Sequence, residues 1–488
     1  MSATFSDPAT DRRRWIALVV LCAGFLMIIL DQTIVNVALP SIQSDLHFSQ
    51  SALAWVVNAY LIAFGGLLLL VGRLGDLIGR RRIFLTGLTV FTTASLGCAV
   101  ATSETLLIAM RAIQGLGAAI MLPAALSIVM NMFEEGAERN KALGIWGGLG
   151  AGGGTVGLIA GGLITRYLGW QYIFYLNVPI GVTALLLAPR IVPDSRIVAT
   201  RRRFDLAGAI AGTGGLVLLV DAISQAPQYG WGAIRTVVLL AASLGVLLAF
   251  LVIESRTKDP VLPLSIFRVR TLAGANVAGL LLGGSFFAFV FAGTLYMQEV
   301  LHYSALQTGV AWLAASVTSM AMAGVSQLLV TRIGPKIVMA IGMTLIGSGV
   351  MWATQVPVHG HFLANLVGPF VIAGAGTAFS FIPISVAALQ GVAEHQSGLA
   401  SGLLNTSTQF GAAIGIAVAS SVAASHTGAL LHAGEAAPVA LTGGFQAAFL
   451  VLGSIALIAP PAIFALVRRS GPRERHTAMR IGEEPMAA

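Results

Sequence analysis

Apolar stretches of about twenty residues recur along almost the whole chain, and that is the length an α-helix needs to cross a bilayer. We count fourteen, at roughly 15–39, 51–71, 83–101, 105–130, 142–165, 170–189, 205–221, 233–253, 271–297, 305–331, 335–354, 361–386, 398–423 and 443–467. No other feature constrains the fold as much. In hydrocarbon every backbone polar group must find a partner inside the protein, so such runs fold as helices. The rest of the composition agrees. Of 488 residues, 56% are hydrophobic and 10% charged, too few charges to coat a soluble surface. The first run reads as a retained anchor, because it is too long for a cleaved signal peptide and no A-x-A site follows it.

Charge then fixes topology. Numbering the connections alternately puts 25 of the 28 Lys and Arg residues on one side, all but Arg111, Arg166 and Arg235. A bias of that strength predicts that both termini are cytoplasmic, in a multi-pass protein of a bacterial inner membrane. It also explains the net charge of +8 without a nucleic-acid partner. The predicted organisation is a cytoplasmic N-terminus (1–14), a six-helix bundle (15–189), a basic linker (190–204), an inserted transmembrane hairpin (205–253), a second linker (254–270), a second six-helix bundle (271–467) and a cytoplasmic tail (468–488). Cys22 and Cys98 both fall in apolar runs and read as small buried hydrophobes, not as a disulfide or metal pair.

The two bundles are related by an internal repeat. "IGRRRIFLTG" (78–87) opens span 3 and "IGPKIVMAIG" (333–342) opens span 11, each with glycines eight apart. "IQGLGAA" (113–119) in span 4 and "IAGAGTA" (372–378) in span 12 share I-x-G-x-G-x-A. The offsets are 255 and 259 residues. Spans 1–6 therefore correspond to spans 9–14, and spans 7 and 8 are the insertion. Two parallel halves of this kind imply a transporter with a central site between them.

The chemistry is concentrated in the first half. "MIILDQTIVNVALP" (27–40) places Asp31 inside span 1, where ionised side chains are costly and usually functional. Asp31 lies about 12 Å below the outer end of its span and Arg111 about 9 Å into span 4, at 1.5 Å per residue. An acid and a base at matching depth are expected to partner each other and to face one cavity. Gln114, one turn from Arg111, shares its helix face. Burial opposes ionisation of Asp31 and a nearby guanidinium favours it, a conflict suited to a group that exchanges a proton. Asn36, Asn58, Asn405, Gln409 and Glu299 are further candidates for lining a cavity; for Asn58, Asn405 and Gln409 interhelical hydrogen bonding is the alternative, and Glu299 lies near an outer helix end, where it can reach water. In span 5, "GIWGGLGAGGGTVGLIAGG" (144–162) carries two four-residue ridges, Gly153–Gly157–Gly161 with Gly162, and Gly144–Gly148–Gly152. Both are expected to let neighbouring helices approach closely. The G-x-G-x-x-G within it lacks a preceding strand, so it does not indicate dinucleotide binding.

"LDQTIVNVALP" (30–40), "GRLGDLIGRRR" (72–82), "RAIQGLGAA" (111–119), "GWQYIFYLNVPIG" (169–181) and "SGLASGLLNTSTQFGAAIG" (397–415) together resemble the signatures of the major facilitator superfamily, in its fourteen-span drug:proton antiporter branch. The resemblance covers roughly 15–467. It implies an all-α integral membrane fold of two six-helix bundles plus an inserted two-helix hairpin. It implies that spans 1 and 4 line the central cavity and that Arg111 takes part in proton coupling. It implies a conformational latch made by Gly72, Asp76, Gly79, Arg80 and Arg81, with Asp76 contacting the start of span 13 near Ser397. Leu77 stands where the family usually has a basic residue, and Leu158 stands where the antiporter motif usually has proline after Gly157. The implied function is export of small amphipathic or cationic compounds in exchange for protons by alternating access, with no catalytic residue, metal or cofactor and the proton gradient as energy source. The expected partners are a small-molecule substrate, protons and membrane lipid. A proton-coupled importer, a dedicated metabolite exporter and a non-transporting membrane sensor remain the alternatives.

Overall fold

A computed structural model describes residues 8–72, 79–133, 136–193, 205–257, 260, 262–392 and 396–467, and among them every regular element is helical. Fourteen of the described helices are long and apolar enough to span a bilayer. They are α1 (Arg12–Leu46), α2 (Ala52–Leu70), α3 (Arg80–Ala99), α4 (Glu104–Met132), α5 (Ala137–Tyr167), α6 (Gln171–Ile191), α7 (Leu206–Tyr229), α8 (Ile234–Arg256), α9 (Arg270–Val300), α10 (Ala305–Ile333), α11 (Pro335–Gln355), α12 (Phe362–Leu389), α13 (Ser397–His432) and α14 (Ala437–Leu466). The even number brings the start of α1 and the end of α14 to one face, which also carries Arg80–Arg82, Arg139, Arg332 and Lys336. We call it the basic face.

The sequence repeat is a repeat of packing. In the first half α1 lies on α5 and α6, α4 on α2 and α3, and α3 on α6. In the second half the equivalent pairs recur: α9 on α13 and α14, α12 on α10 and α11, α11 on α14. The repeated glycines show why. A Cβ on Gly115 would strike the Tyr60 carbonyl of α2, and one on Gly374 would strike the Ala315 carbonyl of α10. A Cβ on Gly117 would lie 2.5 Å from the Phe91 nitrogen of α3, and one on Gly376 would lie 2.6 Å from the Ile346 nitrogen of α11. Tyr60 and Ala315 are 255 residues apart, as are Phe91 and Ile346. With no hydrophobic force between helices in lipid, backbone-to-backbone approach at glycine is what holds these pairs. The eight-residue glycine spacing has a second cause. Gly79 (φ 103°) and Gly334 (φ 85°) cap α3 and α11 in backbone conformations that disfavour a side chain, and Gly87 and Gly342 pack against α4 and α12.

One further pair belongs to this repeat. His47 and His302 share left-handed φ values of 56° and 55° between α1 and α2 and between α9 and α10. Each opens the same device. Ser49 accepts from the Ala52 amide, and Ser304 forms a capping box with Gln307. "LHFS" (46–49) and "LHYS" (301–304) spell it out at the same offset of 255.

The halves meet along two seams, α2 with α13 and α5 with α10, which the repeat makes equivalent. At the face opposite the basic one they are also tied by Gln298, which donates to the Val37 carbonyl of α1 (3.0 Å), and by Arg166, which donates to Ser304 Oγ (3.0 Å). The inserted hairpin lies outside one seam only, with α7 against α2 and α13 and α8 outermost.

Candidate functional site

Asp31 sits midway along α1 and Arg111 two turns into α4, and the structure joins them. Arg111 Nη1 donates to Asp31 Oδ2 at 2.5 Å. Gln114 Nε2 donates to Asp31 Oδ1 at 2.8 Å and to Ser95 Oγ of α3 at 2.8 Å, while Gln114 Oε1 accepts from Arg111 Nη1 at 2.7 Å. Arg111 Nε donates to the Val56 carbonyl of α2 at 2.8 Å. Its guanidinium lies 4.4 Å from the Tyr60 ring centre and 5.7 Å from that of Phe174. Five helices of the first bundle thus converge on one buried ion pair. Every carboxylate oxygen has a charge-assisted or amide donor, the condition under which a buried pair is tolerated.

The pair does not open onto a cavity among the described residues. Asp31 is 3% exposed, Arg111 1% and Gln114 0%. The pair is enclosed in this structure for a physical reason. The Val56 carbonyl and the Tyr60 face draw Arg111 toward α2, and Ser95 draws Gln114 toward α3, so the network closes inside the bundle. Val56, Tyr60, Ser95 and Phe174 were not singled out from the sequence, since nothing local marks an ordinary apolar or small residue as a ligand.

Among its described residues the second bundle holds no copy of this network. The packing register places Phe370 at the position equivalent to Arg111, Ala373 at that of Gln114 and Val350 at that of Ser95. Phe370 stacks on Trp312 (centroids 4.1 Å, 7° between planes) and meets Phe289 edge-on (5.7 Å, 90°). Trp312 Nε1 is satisfied by Thr294 Oγ1 at 2.9 Å. Charge chemistry in one half faces an aromatic core in the other. Comparing the two I-x-G-x-G-x-A segments at the residues just upstream would have shown the substitution.

The other expected site residues scatter. Asn36 donates to its own helix at Gln32 O (2.8 Å), and exposed Asn405 donates to Ser401 O (3.2 Å). Asn58 is fully buried, and neither of its amide atoms has a hydrogen-bond partner among the described residues. Gln409 lies beside Gly65 at the α2/α13 seam. Glu299 falls in a π-helical turn of α9 (Tyr296–Val300), with Oε1 buried and unpartnered among the described residues. Turns of this kind recur at functional sites.

Of the latch residues, Asp76 lies outside the described residues, Gly72 ends the helix that contains α2, and Arg80 is buried at the start of α3. Arg81 donates to the Pro189 and Val192 carbonyls (both 3.2 Å), at the end of α6 in its own half. In α5 only one ridge packs. Gly153 lies against Ile29, Gly157 against Thr33 and Gly161 against the Ile34 backbone of α1, while Gly162 meets the backbone of Ala305 and Leu306 in α10. A Cβ added at Gly144, Gly148 or Gly152 would have no described neighbour within 4 Å, because α1 covers the opposite face of the helix. Leu158, in place of the usual proline, rests its carbonyl against Gly309 of α10.

Comparison with known proteins gives one answer. The sequence profile of the Major Facilitator Superfamily matches residues 21–416 and again 275–486. The cephamycin export protein of Amycolatopsis lactamdurans is 36% identical over 468 residues, 95% of each chain. The puromycin resistance protein of Streptomyces alboniger is 39% identical over 442 residues, 89% of this chain and 86% of that one. The tetracenomycin C resistance and export protein of Streptomyces glaucescens is 31% identical over 95% of this chain and 93% of its own. Among solved structures, the inward-open xylose transporter XylE from E. coli superposes with a TM-score of 0.60 over 96% of this chain and 99% of that one. At 14% identity it shares the fold alone.

Proposed function

As the chain belongs to the Major Facilitator Superfamily, we propose that it is a drug exporter, expelling small amphipathic or cationic compounds in exchange for protons by alternating access. It is a multi-pass membrane transporter, not an enzyme. The observation that carries the finer reading is the buried Asp31–Arg111–Gln114 network. A carboxylate paired with a single guanidinium is a two-state element. While Asp31 is ionised, α1 and α4 are held together. When Asp31 takes a proton, Arg111 loses its anion and retains Val56 O, Gln114 Oε1 and the Tyr60 face. Removing one charge from a buried pair costs about 3–5 kcal/mol, enough to bias a conformational equilibrium decisively. Proton arrival and helix rearrangement are therefore coupled, and the proton gradient is the energy source.

The basic face is assigned to the cytoplasm of a bacterial inner membrane. The bonds from Gln298 to Val37 and from Arg166 to Ser304 would then close the outer side, leaving the carrier to load from within. The names of the relatives support an antibiotic or similarly amphipathic cargo.

The test is expression in bacteria lacking their own efflux pumps, challenged with puromycin and ethidium. Protection should appear, vanish with a protonophore, and be absent in Asp31→Asn. Inside-out vesicles with an imposed pH gradient then fix direction: accumulation of ethidium driven by an acidic interior supports export. Proton-driven movement the other way would make the protein an importer, and full coupling in Asp31→Asn would remove the network from the mechanism.

A further inference from the structure

The repeat makes the α2/α13 and α5/α10 seams equivalent, yet among the described residues only the first is covered. Their chemistry differs. Across α5/α10 the close contacts are glycine against backbone, Gly162 on Ala305 and Leu306 and Gly309 on Leu158. Across α2/α13 polar groups meet inside the membrane. Thr406 Oγ1 donates to the Gly65 carbonyl (2.9 Å), and Gln409 packs on Gly65. Asn58, on the same face of α2 seven residues earlier, has no partner among the described residues. When the halves move apart, the Thr406 bond breaks. The Gly65 carbonyl, the Thr406 hydroxyl and the two amides would then meet hydrocarbon, at a penalty for every group left unsatisfied.

The inserted hairpin lies where that exposure would occur. Thr213 of α7 fills the notch left by Gly66 of α2, so closely that a Cβ there would lie 3.0 Å from both Thr213 Cβ and Cγ2. Ala209 packs on Leu70 in a small cluster with Leu67 and Leu69. On the other side α7 packs at least as extensively on α13, but without such a notch. The glycines of α13 that make close contacts face α2 (Gly402 on Leu69) and α9 (Gly411 and Gly415). Within the hairpin, Gly212 receives Phe250 and Gly215 receives Leu247, which locks α8 to α7. The outer surface of α8 is apolar and exposed through Ile234, Val237, Val238, Leu244, Leu248 and Leu251.

We propose that the inserted hairpin is a strap that rides with the first bundle and keeps lipid off the polar α2/α13 seam while α13 moves beneath it. Its anchor is Thr213 in the Gly66 notch. Its apolar α8 surface takes over the contact with acyl chains. The α5/α10 seam needs no such strap because its glycine-on-backbone contacts expose no side-chain polar group when they part, and the Arg166–Ser304 bond lies at the exposed helix ends.

Two measurements test this, and the first needs no transported compound, so failure of the export reading leaves it decisive. Protein in liposomes containing a phosphatidylcholine with a photoactivatable acyl chain is irradiated and mapped by peptide mass spectrometry. Adducts should fall on α8 and on exposed Ile210 and Val217 of α7, and be absent from the seam residues Gly65, Thr406 and Gln409. Adducts on any of those three residues overturn the seal. The second uses paired cysteines, the native Cys22 and Cys98 being buried. In Gly66→Cys with Thr213→Cys, oxidation should leave ethidium efflux within about twofold of the reduced sample. In Leu69→Cys with Gly402→Cys, which ties the halves together, oxidation should cut efflux at least about tenfold, with recovery on reduction. A tenfold reversible loss in the first pair means that the strap must leave the first bundle, and no loss in the second means that the seam does not move. Either result overturns the proposal. Should the first pair be inactive even when reduced, Leu70→Cys with Ala209→Cys reports the same anchor.

Discussion

Replacing Asp31 by asparagine keeps the shape of the side chain and removes its charge, and the geometry of the network sets the consequences. Two donors converge on the carboxylate, Arg111 Nη1 on one oxygen and Gln114 Nε2 on the other. An asparagine offers one oxygen and one NH₂, so the NH₂ must face a donor whichever way it is turned. Gln114 cannot rotate its amide to help. Its Nε2 also serves Ser95 and its Oε1 accepts from Arg111, so a flip would set nitrogen against the guanidinium. Arg111 stays buried without an anion. The expected loss of stability is about 3–5 kcal/mol, the cost of breaking a buried pair from one side. Removing both charges is different: Asp31→Leu with Arg111→Met leaves no orphaned ion, and stability should return to within about 2 kcal/mol of the native protein. Denaturant unfolding in mixed micelles measures the stability change. Efflux driven by an imposed pH gradient in proteoliposomes measures the coupling, and it should fall at least about tenfold in both variants. A stable double variant that still couples efflux to the gradient would show the pair to be a packing device, and a single variant costing under about 1 kcal/mol would refute the energetics.

Three further outcomes are expected. Gln114→Leu orphans Asp31 Oδ1, at about 1–3 kcal/mol, while Ser95 keeps its bond to the Phe91 carbonyl, and it should weaken gradient coupling with the ion pair still present, read in the same two assays. Gly374→Val drives a side chain into the Ala315 carbonyl and should cost about 1–3 kcal/mol or prevent folding, whereas Gly144→Ala enters open space and should be neutral or stabilising by up to about 1 kcal/mol; yield of monodisperse protein and thermal stability separate them. Asn58→Leu removes an unpartnered buried amide and should stabilise this conformation by about 1–3 kcal/mol, read by thermal stability.

Much of this molecule was legible in the residues, and the illegible part has identifiable causes. Fourteen spans follow from run length because lipid admits so few backbone solutions. The pairing of Asp31 with Arg111 follows from depth, since an unpaired charge at that level is costly. Its enclosure does not, because the groups that close it off are a main-chain carbonyl at Val56 and the ring of Tyr60, and neither differs in sequence from its neighbours. The two glycine ridges of α5 read alike, yet only 153–157–161 packs, since which face of an apolar helix meets protein and which meets lipid leaves little trace in hydrophobicity. The docking of α7 on one seam was illegible for the same reason. Its anchor is a single Thr213 in a notch whose glycine looks like any of the 57 in the chain.

The repeat and the site bear on each other. Duplicated glycines at 115 and 374, 117 and 376, and 87 and 342 enforce the same helix packing in both bundles, and that likeness makes the two seams equivalent contacts between the halves. Equivalence of packing places no demand on chemistry. At the position of Arg111 the second bundle has Phe370, stacked on Trp312 and buried with Phe289. On the proposed reading the first bundle changes its internal bonding when Asp31 gains or loses a proton, and the second, whose buried Glu299 Oε1 has no partner among the described residues, holds no equivalent ion pair. A carrier that must convert one proton event into relative motion of two bodies needs that inequality: if both bundles carried the same titrating pair, protonation would act on each alike and favour neither arrangement of the seams. An ion pair confined to one half of a duplicated frame is on this view the source of direction, and Phe370→Arg should destroy the second core instead of adding a second coupling site.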